Sequence, residues 1–96
     1  MEVKLNDKYK LKFSVAALQE LEETFSTTIF KMRFDELKIK DFIKILRIAI
    51  KGGSGVELTD DELLKLADEV GIANIFKRVN ESYLSALGID AKDIDK

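Results

Sequence analysis

The spacing of apolar residues changes period within the first fifteen positions, and that change fixes most of what the chain can fold into. Val3 and Leu5 alternate with charged residues, as do Tyr9, Leu11 and Phe13, and Asn6-Asp7-Lys8 separates the two runs. Alternation with a period of two, broken by an Asn-Asp pair, predicts an antiparallel hairpin over residues 2–13. From Ser14 onward the period is helical. The Ser14 hydroxyl is placed to cap free backbone N–H groups. Val15, Leu18, Leu21 and Phe25 fall on one face of about 120°, which predicts a helix from Val15 to Thr24 or Phe25.

Further along, each boundary has its own signal. Residues 26–40 carry Ile29, Phe30, Met32 and Phe34, too many apolar groups for a solvated loop, and a short helix near Thr28–Arg33 followed by a turn is expected. Asp41 is expected to cap a helix over 42–51, with Gly52 in the left-handed position that ends it. On that helix Phe42, Ile43, Ile45, Leu46, Ala49 and Ile50 span about 160°, and Ile48 falls outside the arc. Such a helix is too apolar to rest on one neighbour: it is the central core helix, or it also meets a partner. Gly52-Gly53-Ser54-Gly55 reads as a flexible connector, because a phosphate loop needs a preceding strand and a Gly-Lys-Ser/Thr ending.

Thr59-Asp60-Asp61-Glu62 is a capping box, Thr59 at the N-cap and Glu62 three residues on, with acidic groups at the positive end of the helix dipole. Leu63, Leu64, Leu66, Ala67 and Val70 give the helix over about 60–70 one apolar face, and Gly71 closes it. Ile72, Ile75, Phe76, Val79, Tyr83, Ala86 and Leu87 form a stripe of about 120° on a last helix over about 72–87, ended by Gly88. Residues 89–96 are expected to be a polar, disordered tail. Its Asp90, Asp93 and Asp95 lack the glycine, the terminal Glu and the alternating spacing of a calcium loop. Glu22 sits on the apolar side of the first helix. It either reaches out to water or is a partly buried carboxylate, paired with a cation such as Arg47 or accepting backbone N–H groups.

Composition narrows the chemistry. With no His and no Cys, the usual general base, the commonest metal ligand and the thiolate nucleophile are all missing. A hydrolase would need paired carboxylates or Ser-Lys chemistry in a deep cleft, which a 96-residue chain rarely builds, so no enzymatic activity, metal or cofactor is expected. A net charge of −2 argues against binding through phosphate neutralisation. No apolar run approaches a membrane span, and the absence of Cys fits a reducing cytoplasm. The fold class is α+β and mostly helical: an N-terminal hairpin, then three main helices and one short one, in a single core over residues 1–88.

The order of these parts resembles the tail assembly chaperones of long-tailed bacteriophages. The segments that carry the resemblance are the hairpin, "LQELEETF", "DFIKILRIAIKGG", "LTDDELLKLADEVG" and a last helix ending "YLSALG", together roughly Val3 to Leu87. Ser26 stands in place of the Gly that the family carries after its first helix. The resemblance implies a non-enzymatic role in the cytoplasm of the bacterial host, of phage or prophage origin and outside the mature virion. Its partners would be the long helical tape-measure protein, kept from aggregating, and tail-tube subunits, which it helps recruit. Ile29, Phe30, Phe34, Ile48 and Leu84 are surplus apolar residues and candidates for the partner surface, whether the partner is another protein's helix or a second copy. Two alternatives stand beside this reading. "LADEVGI" between two short helices also resembles a DNA-binding helix-turn-helix with its Gly in the turn, and a generic helical oligomerisation or adaptor module would share the same pattern.

Overall fold

The structure, a computed structural model, describes residues 3–32 and 36–88, with the side chain of Phe30 left out. Phe34, Arg33 and the expected polar tail at 89–96 lie outside the described residues. The elements run β1 (Val3–Lys4), β2 (Lys10–Leu11), α1 (Val15–Phe25), a 3₁₀ turn (Ile29–Lys31), α2 (Ile39–Ser54), α3 (Asp60–Val70) and α4 (Ile72–Ala86).

The hairpin is antiparallel, pairing Val3 with Leu11 and Lys4 with Lys10. Its turn is held by Asn6, whose Oδ1 accepts the N–H groups of Lys8 at 2.9 Å and Tyr9 at 2.8 Å, the side-chain mimicry of a backbone turn that favours Asn here. Val3, Leu5, Leu11 and Phe13 are buried, as the period of two requires.

α1 begins where Ser14 Oγ accepts the Ala17 N–H at 3.2 Å. It ends at Ser26, left-handed at φ 51° and ψ 42°, a conformation that costs a non-glycine residue. Its buried face differs from the expected one. Ala17 and Leu21 are buried, with Leu18 and Phe25 packed beside them, whereas Val15 is 74% exposed. The stripe is rotated toward Ala17 because α2 approaches closely there: a Cβ placed on Gly52 would lie 3.9 Å from the Ala17 methyl.

α2 is longer at both ends than the sequence predicts. It starts at Ile39 with Lys38 as N-cap, which puts Asp41 inside the first turn instead of at the cap, where its charge still suits the dipole. It continues through Gly52, Gly53 and Ser54 and ends at Gly55, left-handed at φ 71°. Gly52 is therefore neither the helix terminus nor part of a connector. Two glycines cost a helix about 1 kcal/mol each relative to alanine, and the contact they permit explains their presence. A Cβ on Gly52 would sit 2.1 Å from the Lys12 carbonyl oxygen, and one on Gly53 would sit 2.3 Å from that of Lys10. The helix thus lies with its backbone directly on β2. Lys12 N–H donates to the Ala49 carbonyl at 3.1 Å. Ser54 Oγ accepts the Lys10 N–H at 2.8 Å and donates to the Lys10 carbonyl at 3.0 Å.

With β2, α1, α3 and α4 all packed on it, α2 is the central helix. It buries Phe42, Ile43, Ile45, Leu46, Ile48, Ala49 and Ile50. α3 spans the expected residues. Thr59 Oγ1 accepts the Glu62 N–H at 3.3 Å while Glu62 Oε1 accepts the Thr59 N–H at 3.1 Å, the reciprocal capping box. Gly71, at φ 94°, ends α3 and starts α4, and Asn74 Nδ2 donates to the Val70 carbonyl at 3.0 Å to close the helix end. Phe13 meets Tyr83 edge-on at 5.7 Å, tying α4 to the hairpin. No helix among the described residues is long and apolar enough to cross a membrane.

Candidate functional site: an apolar groove between α2 and α3

Because α2 leans its C-terminal half on β2, its N-terminal half is free to face α3. Two adjoining hollows run along that junction. One is lined by Ile39, Lys40, Ile43, Lys44, Arg47, Asp60 and Leu64, and the next by Ile39, Ile43, Leu64, Ala67, Asp68, Gly71 and Ile72. Residues shared by both make this one groove. Arg47 and Asp60 form an ion pair across one end, and Ile39 stands with Gly71 and Ile72 at the other.

The groove holds large apolar side chains in water. Ile39 is 62% exposed, Leu64 49% and Ile72 42%. One turn beyond Ile72, Phe76 stacks on Phe42 at 5.7 Å and remains 37% exposed. Full burial of such side chains is worth about 1.5–3 kcal/mol each, and here Ile39, Leu64 and Ile72 each remain about half in water. Among the described residues no group of three or more His, Cys, Asp or Glu could hold a metal ion.

This is not the surface the sequence suggests. Ile48 is 4% exposed and belongs to the core, because α2 is covered on more sides than a wheel with one buried arc allows. Ile29 and Leu84 are half-buried. Phe34 and the side chain of Phe30 lie outside the described residues. Of the groove residues, the sequence places Leu64 and Ile72 on core stripes, as it does the neighbouring Phe76, and Ile39 falls in the 26–40 segment beyond the expected short helix. A signal for Leu64 was present: Leu63 and Leu66 already fill the buried face of α3, which leaves Leu64 surplus.

Ile29 instead anchors the segment after α1. Its N–H donates to Glu22 Oε2 at 3.2 Å, and its carbonyl accepts the Tyr83 hydroxyl. Of the readings open for Glu22, the carboxylate accepting a backbone N–H is the one found, and Arg47 pairs with Asp60 instead. Burial, and after it the Glu22 charge, push the Tyr83 phenol above its ordinary pKa. The Glu62 carboxyl is held below its ordinary value by the Thr59 backbone N–H and then the Thr59 hydroxyl. The joint between α3 and α4 bears on the helix-turn-helix alternative: that motif uses a turn of about three or four residues, and here the helices share the single residue Gly71. No known protein family matches the sequence, and no curated protein or solved structure is similar to it.

Proposed function

We propose that this chain is a non-enzymatic tail assembly chaperone of a long-tailed phage or prophage. It acts in the bacterial host cytoplasm, where it shields apolar helical segments of the tape-measure protein and helps recruit tail-tube subunits. The observation that carries the reading is the groove: Ile39, Leu64 and Ile72 gathered half-exposed between α2 and α3, on a domain whose remaining large side chains are mostly packed. A groove of this kind suits an amphipathic helix laid side-on, with anchors at i, i+3 or i+4 and i+7. The order of hairpin and helices supports the same reading. The acidic balance of the chain supports a protein partner over nucleic acid.

Co-expression with the tape-measure protein of the same phage tests it. The expected result is a tape-measure protein that stays soluble and co-elutes with this chain. Salt-sensitive DNA binding at micromolar concentration, with no effect on tape-measure solubility, would overturn the proposal in favour of a helix-turn-helix regulator.

A further inference from the structure

The two walls of the groove carry opposite charge. Arg47 of α2 and Asp60 of α3 pair with each other across one end, so they neutralise one another and leave the open stretch to other groups. The α2 wall presents Lys40 and Lys44 along the first hollow, and the α3 wall presents Asp68 along the adjoining one. Lys44 Nζ stands 3.9 Å from Asp41 Oδ1 on its own helix, with its side chain still 43% exposed, and so remains available to a partner. Lysine stems extend the apolar floor while their ammonium groups sit at the rim.

A helix lying in this groove places its apolar stripe on the floor and one flank against each wall. If one flank is acidic and the other basic, both walls are satisfied in one direction only. Turned end for end, the same helix sets lysine against lysine and carboxylate against carboxylate. From this asymmetry we propose that the groove seats a partner's amphipathic helix in a single direction, its acidic flank against Lys40 and Lys44. The inference rests on reading the groove as a partner surface, and it adds the polarity of what is bound. Exposed pairs are individually weak, so the preference for one direction is about three- to tenfold and shrinks as salt screens it.

Two synthetic helical peptides test this on the full chain. Both carry the same leucine stripe and a nitroxide label at the N-terminus; one has Glu on the left flank and Lys on the right, the other the reverse. Amide signals are followed by NMR. The expected result is broadening at one end of the groove for the first peptide, around Gly71 and Ile72 or around Arg47 and Asp60, and at the opposite end for the second. In the Lys40→Glu, Lys44→Glu double variant both walls are acidic, and each peptide should broaden both ends. Broadening of the same end by both peptides, no preference with the native chain, or no binding in the groove at millimolar peptide would each overturn the inference. Failure of the chaperone reading looks different: the peptides dock with opposite polarity, yet the tape-measure protein stays insoluble.

Discussion

At its C-terminal end α2 lies backbone to backbone on β2, while its N-terminal half faces α3 across a groove lined by half-exposed aliphatic side chains. Residue size separates the two regions. Ala49, Gly52, Gly53 and Ser54 bring the helix close enough for Lys12 N–H to bond the Ala49 carbonyl and for Ser54 to bond both polar groups of Lys10. Ile39 and Ile43, at the other end, are too large for such an approach and meet Leu64 and Ile72 with space between. One helix thus closes the core at one end and offers a surface at the other. Small residues mark the closed contact, and surplus large ones mark the open groove.

The largest effect is expected at the closed end. Gly52→Ala should raise stability by about 1 kcal/mol if helix propensity decided the matter. Overlap of the new methyl with the Lys12 carbonyl instead predicts a loss of roughly 3 kcal/mol, visible as a lower urea midpoint. A stabilised Gly52→Ala protein would break the contrast between the two ends.

A smaller loss is expected at the start of α3. Thr59→Ala should cost about 0.5–2 kcal/mol by removing the N-cap, with the groove surface intact. Because folding lowers the Glu62 pKa, its contribution is full above the ordinary glutamate range and is lost as pH falls through the lower folded value. Urea midpoints measured across the acidic range should therefore fall less steeply in Thr59→Ala than in the native chain.

The Ile29 anchor is worth about 1 kcal/mol in Tyr83→Phe, which removes the hydroxyl donor. Glu22→Ala should also destabilise, and Glu22→Gln should cost less because an amide oxygen still accepts the Ile29 N–H. The raised Tyr83 pKa means that its contribution is full below the ordinary phenol range and is lost as pH rises through the folded value. Followed by phenolate absorbance in a Tyr9→Phe background, Tyr83 should titrate lower in Glu22→Gln than with Glu22 present. An unchanged titration would show that the carboxylate does not act on the phenol. The smallest shift is expected at Ser82, buried with an unpartnered Oγ: Ser82→Ala should leave the melting temperature unchanged or raise it slightly, since a lone buried hydroxyl adds nothing to stability.

Local chemistry was legible in the sequence at most places where a residue acts on its immediate neighbours, the exception being Asp41, which lies inside the first turn of α2 and not at its cap. The Asn6 turn, the Ser14 cap, the Thr59–Glu62 box and the Gly71 boundary all depend on partners within four positions, and all are present. What the sequence did not show depends on distant partners. Gly52 looks like a helix terminus until β2 is laid against it. Val15 and Ala17 exchange roles because α2 approaches from one side. Ile48 looks surplus until α2 is seen to be enclosed by three helices and a strand. The same blindness moved the candidate partner surface from Ile29 and Ile48 to Ile39, Leu64 and Ile72, since exposure is a property of the packed whole.

The most direct test compares two sets of exposed apolar residues during co-expression with the tape-measure protein. Leu64→Glu and Ile72→Glu alter the groove, whereas Val15→Glu and Val56→Glu alter exposed apolar positions that line neither hollow of the groove. Loss of the buried half of Leu64 or Ile72 should cost about 1 kcal/mol, and all four variants should remain folded at the temperature of co-expression, checked by urea unfolding. The account predicts that the groove variants leave the tape-measure protein insoluble while the Val15 and Val56 variants protect it as the native chain does. Retained protection by the groove variants, or its loss only in the Val15 or Val56 variants, would contradict it.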